Sequence, residues 1–265
     1  VGEKRETAEG KRSEAEYHDE YYGSREIPDE DLVVQTEGFR ETLAHHPIGD
    51  LYACMLDRLG DYQGKDLLEY GSGTGQVGVF FALTGARVRG FDVSEEGVKT
   101  ANRRALINGT SSTALFEPMK AEALSYEEGQ FDFVVGRWIL HHLDKDALPM
   151  CGRELWRVLK DGGKAVFIEP LGHNPFIEFV REHPFYAPGD YDSEHESTMK
   201  KVEILTMGEP FRHVLIHEFH LLYMLKRVIR NRWILRILKS IDALLLRCFP
   251  FLKRFCGDCV IEFIK

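Results

Sequence analysis

Cysteine is scarce in this chain, with five among 265 residues, an odd number at scattered positions. That count argues against a disulfide framework and fits a reducing compartment. The one close pair, Cys256 and Cys259 in "CGDC", has neither a second pair nor a nearby histidine to complete a tetrahedral metal site. Long apolar runs are also missing, so no stretch reaches the roughly 20 residues of a membrane-spanning helix. The first residues are charged rather than apolar and show no sign of a secretory leader. Excess positive charge is absent too: 34 Lys and Arg face 43 Asp and Glu, a formal net charge of -9. A general nucleic-acid binder needs a basic surface, so that class is set aside. What is left is a globular protein, expected in the cytoplasm, with enough chain for a sizeable core.

The negative average hides a gradient. Residues 1–31 hold eleven acids and five bases, whereas residues 226–254 hold nine bases and one acid, Asp242. Within the basic segment, Trp233, Ile237, Leu238, Ile241, Leu244 and Leu245 form a helical stripe. Arg232, Arg236, Lys239 and Arg247 supply its polar side. Such a helix can lie on an anionic membrane or receive a lipid-like substrate. It can equally be a helical insertion packed on the core, and packing is the plainer expectation.

Along the chain, residues 1–16 lack apolar periodicity and read as mobile or as a lone polar helix. Helical spacing follows, ending with Ile48, Leu51, Tyr52, Met55, Leu56 and Leu59 on one face. Short apolar runs then alternate with helices. "DLLEY", "RVRGFDV", "ALFEPMKA", "FDFVVGR" and "KAVFIEP" read as strands. "GQVGVFFALTG" reads as a helix closed by Gly85, and "SEEGVKTANRRALING" as one capped by Ser94. "ALPMCGRELWRVLKDGG" reads as a helix with a glycine stop. Later, "HVLIHEFHLLYML" and "DCVIEFIK" read as two more strands. The pattern predicts an α/β fold: a Rossmann-like, mostly parallel seven-stranded sheet with helices on both faces and helical insertions near the C-terminus. No repeat or linker divides it. One domain spans 1–265, with a helical or lid segment at 1–60, a cofactor-binding core at 61–170 and acceptor-recognition elements at 171–265.

The chemistry is concentrated in "LLEYGSGTGQVG". Gly71, Gly73, Gly75 and Gly78 stand between a strand and a helix. Glycines there let the backbone turn tightly, and the helix start offers unpaired N–H groups to a ligand. Asp92 comes 21 residues after Gly71, the distance that puts a carboxylate at the end of the next strand, facing a ribose diol. These features serve NAD(P) and S-adenosylmethionine alike. Glu69 separates them, because a carboxylate beside the loop is awkward for a pyrophosphate and suits a sulfonium and an ammonium. No tyrosine has lysine four residues on, as the short-chain dehydrogenase pair requires.

"LLEYGSGTGQ", "GFDVSEEGV", "KAEALSYEEGQFDFVVGRWILHHL" and "LKDGGKAVFIEP" occur in order at suitable spacing. Together they resemble the class I S-adenosylmethionine-dependent methyltransferases, in the branch of the ubiquinone/menaquinone-biosynthesis enzymes, over roughly Gly64 to Pro170. The resemblance implies that Gly71, Ser72, Gly73 and Gly75 line the methionine end of the cofactor, with Glu69 nearby. Asp92 would bind the ribose and Val93 the adenine. Ala121 and Glu122 would meet the adenine edge, with Lys120 standing where an acid is common. Arg137 would lie near the methionine carboxylate.

The expected activity is methyl transfer to a small organic or lipid-like acceptor by in-line displacement. The alternatives are an NAD(P)-linked oxidoreductase, or a non-catalytic cofactor-binding or regulatory protein of the same fold. A base is needed only for a protonated acceptor. Candidates at the carboxyl edge of the sheet are His141, His142, Glu169 and His173. His141 and His142 would begin the helix after the fourth strand. "REHPFYAPGDYDSEHES", with His183, Tyr186, Tyr191, Glu194 and His195, reads as a lid or a surface loop. No metal site is expected, because His183, His195, His213, His217 and His220 make no ligand pair with a third partner. No Asn-Pro-Pro-Tyr signature of amino methylation follows the fourth strand. The acceptor atom and the oligomeric state stay open.

Overall fold

The computed structural model describes residues 13–24, 26–39, 43, 46–172, 198–227, 229 and 231–265. Seven strands form one sheet: β1 Asp66–Tyr70, β2 Arg87–Asp92, β3 Ala114–Pro118, β4 Phe131–Arg137, β5 Leu159–Pro170, β6 His213–Phe219 and β7 Asp258–Ile264. Their order is β3-β2-β1-β4-β5-β7-β6. The first five run parallel, and β7 runs antiparallel to both of its neighbours, β5 and β6. A dinucleotide-binding sheet of order 3-2-1-4-5-6 has no such inserted strand.

Among the described residues the α-helices are α1 Glu14–Gly23, α2 Asp29–Leu32, α3 Gly49–Leu59, α4 Gln76–Leu83, α5 Glu95–Ile107, α6 Leu148–Val158, α7 Lys201–Met207 and α8 Arg232–Cys248. Successive strand residues point to opposite faces, so a strand covered on both sides is apolar throughout. Leu67, Val166 and Val260 therefore pack with Leu51, Met55 and Leu59 of α3 and with α4 and α5. Leu68, Phe167 and Ile261 pack the other way, with Leu148, Cys151 and Leu155 of α6 and Ile204 and Met207 of α7. The layered arrangement read from the sequence is the one observed.

Two boundaries differ. α6 stops at Val158, ahead of the glycines, because buried Leu159 already pairs with Phe131. The register then shifts across Asp161–Gly163 before Lys164 pairs with Phe133. His141 and His142 do not begin a helix: they close a single 3-10 turn, Leu140–His142, and α6 starts six residues later.

α1 is held across the carboxyl edge of the sheet. Ser13 and Glu16 form a reciprocal capping box at its start. Asp19 Oδ1 accepts from the Ser94 hydroxyl at 2.5 Å and from Glu96 N at 3.2 Å, satisfying donors at the start of α5. Arg104 of α5 donates to Thr74 O at 2.8 Å and to the carbonyls of Asp31 and Leu32. That guanidinium joins the N-terminal segment to the glycine loop.

Candidate active site

A cavity of about 700 Å³ opens over the carboxyl ends of β1, β2 and β4, under α1. Gly71 stands at its floor with φ 69°, where an added Cβ would meet Ile139 Cγ1 at 2.3 Å. Asp92 Oδ2 accepts from Gly73 N at 2.6 Å and Oδ1 from Ser94 N at 3.0 Å, which fixes the carboxylate at the rim. Glu69 Oε2 accepts from Gly78 N at 2.9 Å. Burial lifts Glu69 to about 8, only partly opposed by that hydrogen bond and by the charge of Arg137. Its neutral form therefore prevails in the unliganded protein at neutral pH. The Ser72 hydroxyl is buried and has no hydrogen-bond partner. An unsatisfied buried polar group is costly, and Ser72 is among the residues that line the cavity.

Of the ten residues expected at the cofactor, Glu69, Gly71, Ser72, Gly73, Asp92, Val93, Ala121, Glu122 and Arg137 all line this cavity. Gly75 is the exception. A Cβ there would lie 2.7 Å from Ala101 Cβ, so its bareness lets α4 and α5 approach each other. Lys120 also lines the cavity.

The candidate bases separate. His142 lines the cavity, whereas His141 and Glu169 do not. Glu169 is fully buried and accepts from Ile139 N and Leu140 N, both at 2.8 Å, and pairs with His141 Nδ1 at 2.7 Å. This pair holds the turn after β4 from behind. His173 and the residues named from the lid stretch lie outside the described residues.

Several lining residues had no signal in the sequence. Tyr17, His18, Tyr21 and Tyr22 come from α1. The Tyr22 hydroxyl covers Gly73, 2.7 Å from where a Cβ would stand. Trp138 adopts φ 53°, a conformation costing about 1–3 kcal/mol for a bulky residue. Arg137 lies 5.0 Å from the Trp138 ring centroid and hydrogen-bonds the Tyr52 hydroxyl of α3. Those two contacts hold the guanidinium of a residue that lines the cavity.

The residues from β1 to β5 also carry a family signature. Residues 67–163 match the family described as "Methyltransferase domain". Over these residues the chain carries the signature of a methyltransferase domain. The chain is 31% identical over 131 residues to the ubiquinone biosynthesis O-methyltransferase of Pseudomonas putida (strain GB-1), covering 49% of this chain and 54% of that protein. It thus spans about half the length of the curated relatives it matches. Among solved structures, geranyl diphosphate C-methyltransferase from Streptomyces coelicolor A3(2) is similar with a TM-score of 0.58 and 16% identity, over 94% of this chain and 97% of that one. The cyclase SpnF is similar with a TM-score of 0.56 and 19% identity, over 82% and 80%. At such identities the likeness is one of fold, and a methyltransferase domain's chemistry must be argued from its site.

Proposed function

We propose that the chain, working as one unit over 1–265, transfers a methyl group from S-adenosylmethionine to a small organic or lipid-like acceptor. The observation that carries this reading is the convergence of Glu69, Asp92 and the unpaired Ser72 hydroxyl on one cavity over Gly71. In this reading Asp92 binds the ribose diol, Val93 lies beside the adenine and Ala121 and Glu122 meet its edge. Arg137 supplies the positive charge that a methionine carboxylate needs. Glu69 offers a carboxylate to the cationic end, which a pyrophosphate would reject. The cofactor brings an activated methyl group, and the protein's part is alignment, worth up to about 7–11 kcal/mol. Among the named bases that lie in the described residues, His142 is the one that lines the cavity.

The test is isothermal titration of S-adenosylmethionine, S-adenosylhomocysteine and NADH into wild type and Asp92→Ala. Binding of the first two, weakened in the variant, supports the reading. Binding of NADH alone refutes it. Release of S-adenosylhomocysteine with an acceptor then separates a methyltransferase from a non-catalytic binder.

The acceptor side of this proposal includes contact with an anionic membrane through α8. No described helix is long and apolar enough to cross a membrane. Instead α8 exposes its stripe: Trp233 is 74% exposed, Ile237 56% and Leu244 61%, with Phe249 and Phe251 exposed just beyond. The packing alternative expected these side chains inside. Asp242, the single acid, turns inward and accepts from Leu222 N and Tyr223 N at 2.7 and 2.9 Å. The outer face thus keeps Arg236 and Arg247, with Arg254 just beyond, and carries no acid of its own among the described residues of α8. Apolar side chains flanked by bases fit an anionic bilayer. Asp258 pairs with both Pro170 and Phe219, so β6 leads into α8 from the same edge that carries the cavity. Lys239 of α8 bridges to Asp50 of α3 at 3.0 Å, two residues from Tyr52 and its bond to Arg137. Co-sedimentation with anionic but not neutral vesicles, lost in Trp233→Glu/Leu244→Glu, is the expected result. Equal recovery of both proteins in the supernatant would refute the contact.

A further inference from the structure

The cavity wall opposite the glycine loop carries a second kind of chemistry. Glu14 and His18 are one turn apart on α1 and so share a face. His142 reaches them from the 3-10 turn after β4. Glu14 Oε1 lies 3.1 Å from His18 Nε2 and 3.0 Å from His142 Nδ1. The three donor atoms all fall within 4.8 Å of one another, and all three residues line the cavity. The Nδ1 atom of His18 is buried and makes no hydrogen bond, whereas His142 Nδ1 meets Glu14 Oε1. One carboxylate oxygen shared by two imidazole nitrogens makes a compact set of three donor atoms on the cavity wall.

We propose that Glu14, His18 and His142 bind a divalent ion of the zinc class, with an open position facing the cavity. Zinc takes nitrogen and carboxylate oxygen at about 2.0–2.2 Å in a tetrahedron, which puts ligand atoms roughly 3.3–3.5 Å apart. Two of the three edges here are already within a few tenths of an ångström of that separation. Two imidazoles with one carboxylate suit zinc, cobalt or nickel better than magnesium or calcium, which prefer all-oxygen shells. Three protein ligands leave one position for an exogenous oxygen, as in catalytic rather than structural zinc sites.

The consequence for chemistry rests on the methyl-transfer reading. An acceptor hydroxyl bound at the open position loses its proton to solvent near neutral pH, as metal-bound water does. Its oxygen lone pair then forms the bond to the methyl carbon. The carbon–sulfur bond breaks, and its electrons stay on sulfur as the neutral thioether. That role replaces the general base which Glu169 and His141, turned away from the cavity, do not provide. Metal binding also fixes α1 over the glycine loop, because Glu14 and His18 belong to the helix whose Tyr22 covers Gly73.

The experiment uses the full chain without added cofactor, treated with chelator and titrated with Zn²⁺ and separately with Co²⁺. One tight site is expected, with visible absorption from four-coordinate cobalt. His142→Ala and His18→Ala should each weaken it by more than the about 10–100-fold that loss of a supporting contact costs. Glu14→Gln, which keeps shape and hydrogen bonding, covers the case in which a histidine variant misfolds. It should lower affinity and shift the cobalt spectrum. Absence of binding to wild type, or affinity unchanged in Glu14→Gln and in the folded histidine variants, would overturn the proposal and leave the trio as a hydrogen-bonded latch. S-adenosylmethionine titrated into the same samples keeps the two readings apart. Metal without cofactor binding overturns the methyltransferase reading alone, and cofactor without metal binding overturns this one alone.

Discussion

Replacing Glu69 by glutamine should make the unliganded protein more stable, although it removes a buried group that makes a good hydrogen bond. The amide oxygen can still accept from Gly78 N, which Glu69 Oε2 engages at 2.9 Å. What disappears is the ionisation. Burial raises the native carboxyl from 4.5 to about 8, so the folded protein holds this proton over a range in which the unfolded chain has released it. Stability changes with pH in proportion to the protons bound by the unfolded state minus those bound by the native state. That difference is negative here, and stability falls as pH rises from the ordinary glutamate value toward about 8. At 1.36 kcal/mol per pH unit, the penalty in wild type reaches roughly 3 kcal/mol at neutral pH. Urea unfolding of both proteins at acidic, neutral and mildly alkaline pH measures it. Glu69→Gln should match wild type near the ordinary glutamate range and exceed it by about 3 kcal/mol at neutrality, with a flatter profile. A variant less stable at every pH, or one that keeps the wild-type slope, would refute the reasoning. The same proton gives a binding signature. A sulfonium and an ammonium favour the carboxylate, so S-adenosylmethionine should expel close to one proton per site, read by titration calorimetry in buffers of different ionisation enthalpy.

Other perturbations probe the rest of the site. Gly71→Ala forces a Cβ to 2.3 Å from Ile139 at a positive φ, and should cost about 1–3 kcal/mol and abolish cofactor binding by calorimetry. Glu169→Gln should lower stability by about 1–3 kcal/mol, because the amide keeps one acceptor oxygen for Ile139 N and Leu140 N but replaces the oxygen that pairs with His141 Nδ1. The shape of the pH–rate profile should survive that change, and its loss would mean Glu169 is a base after all. His220, between Asp258 at 2.6 Å and Asp50 at 3.1 Å, is raised because those hydrogen bonds outweigh its burial. Its contribution is therefore complete below the ordinary histidine value and lost as pH rises through the elevated one. His220→Asn should remove that part of the pH dependence in denaturant titrations.

The layers of the sheet were legible because strands covered on both faces are continuous apolar runs and the intervening helices are amphipathic. The cofactor loop was legible because its glycines and carboxylates sit at fixed distances along one strand–helix–strand unit. Gly75 does not line the cavity, and a glycine needed for helix packing looks the same in the sequence as one needed for a ligand. Glu169 and His141 are 28 residues apart, and nothing local reveals that they spend their polarity on each other. α1 was hardest to read. None of its residues is fully buried, so it lacks the apolar period that marks a packed helix. What it covers is a cavity, and a surface facing a polar ligand is written in tyrosine, histidine and glutamate.

The place of β7 bears on how the sheet comes together. It follows β6 in the chain yet lies inside the sheet, paired with β5 on one side and β6 on the other. β6 has no partner until β7 arrives, and β5 meanwhile presents Val166, Phe167 and Ile168 along an open edge. Pairings this distant in sequence form slowly, and open edges recruit other chains. On the ribosome the cofactor half can assemble first, while the step that closes the sheet must wait for residues 258–264. Refolding should accordingly show its slow, concentration-sensitive phase at this strand.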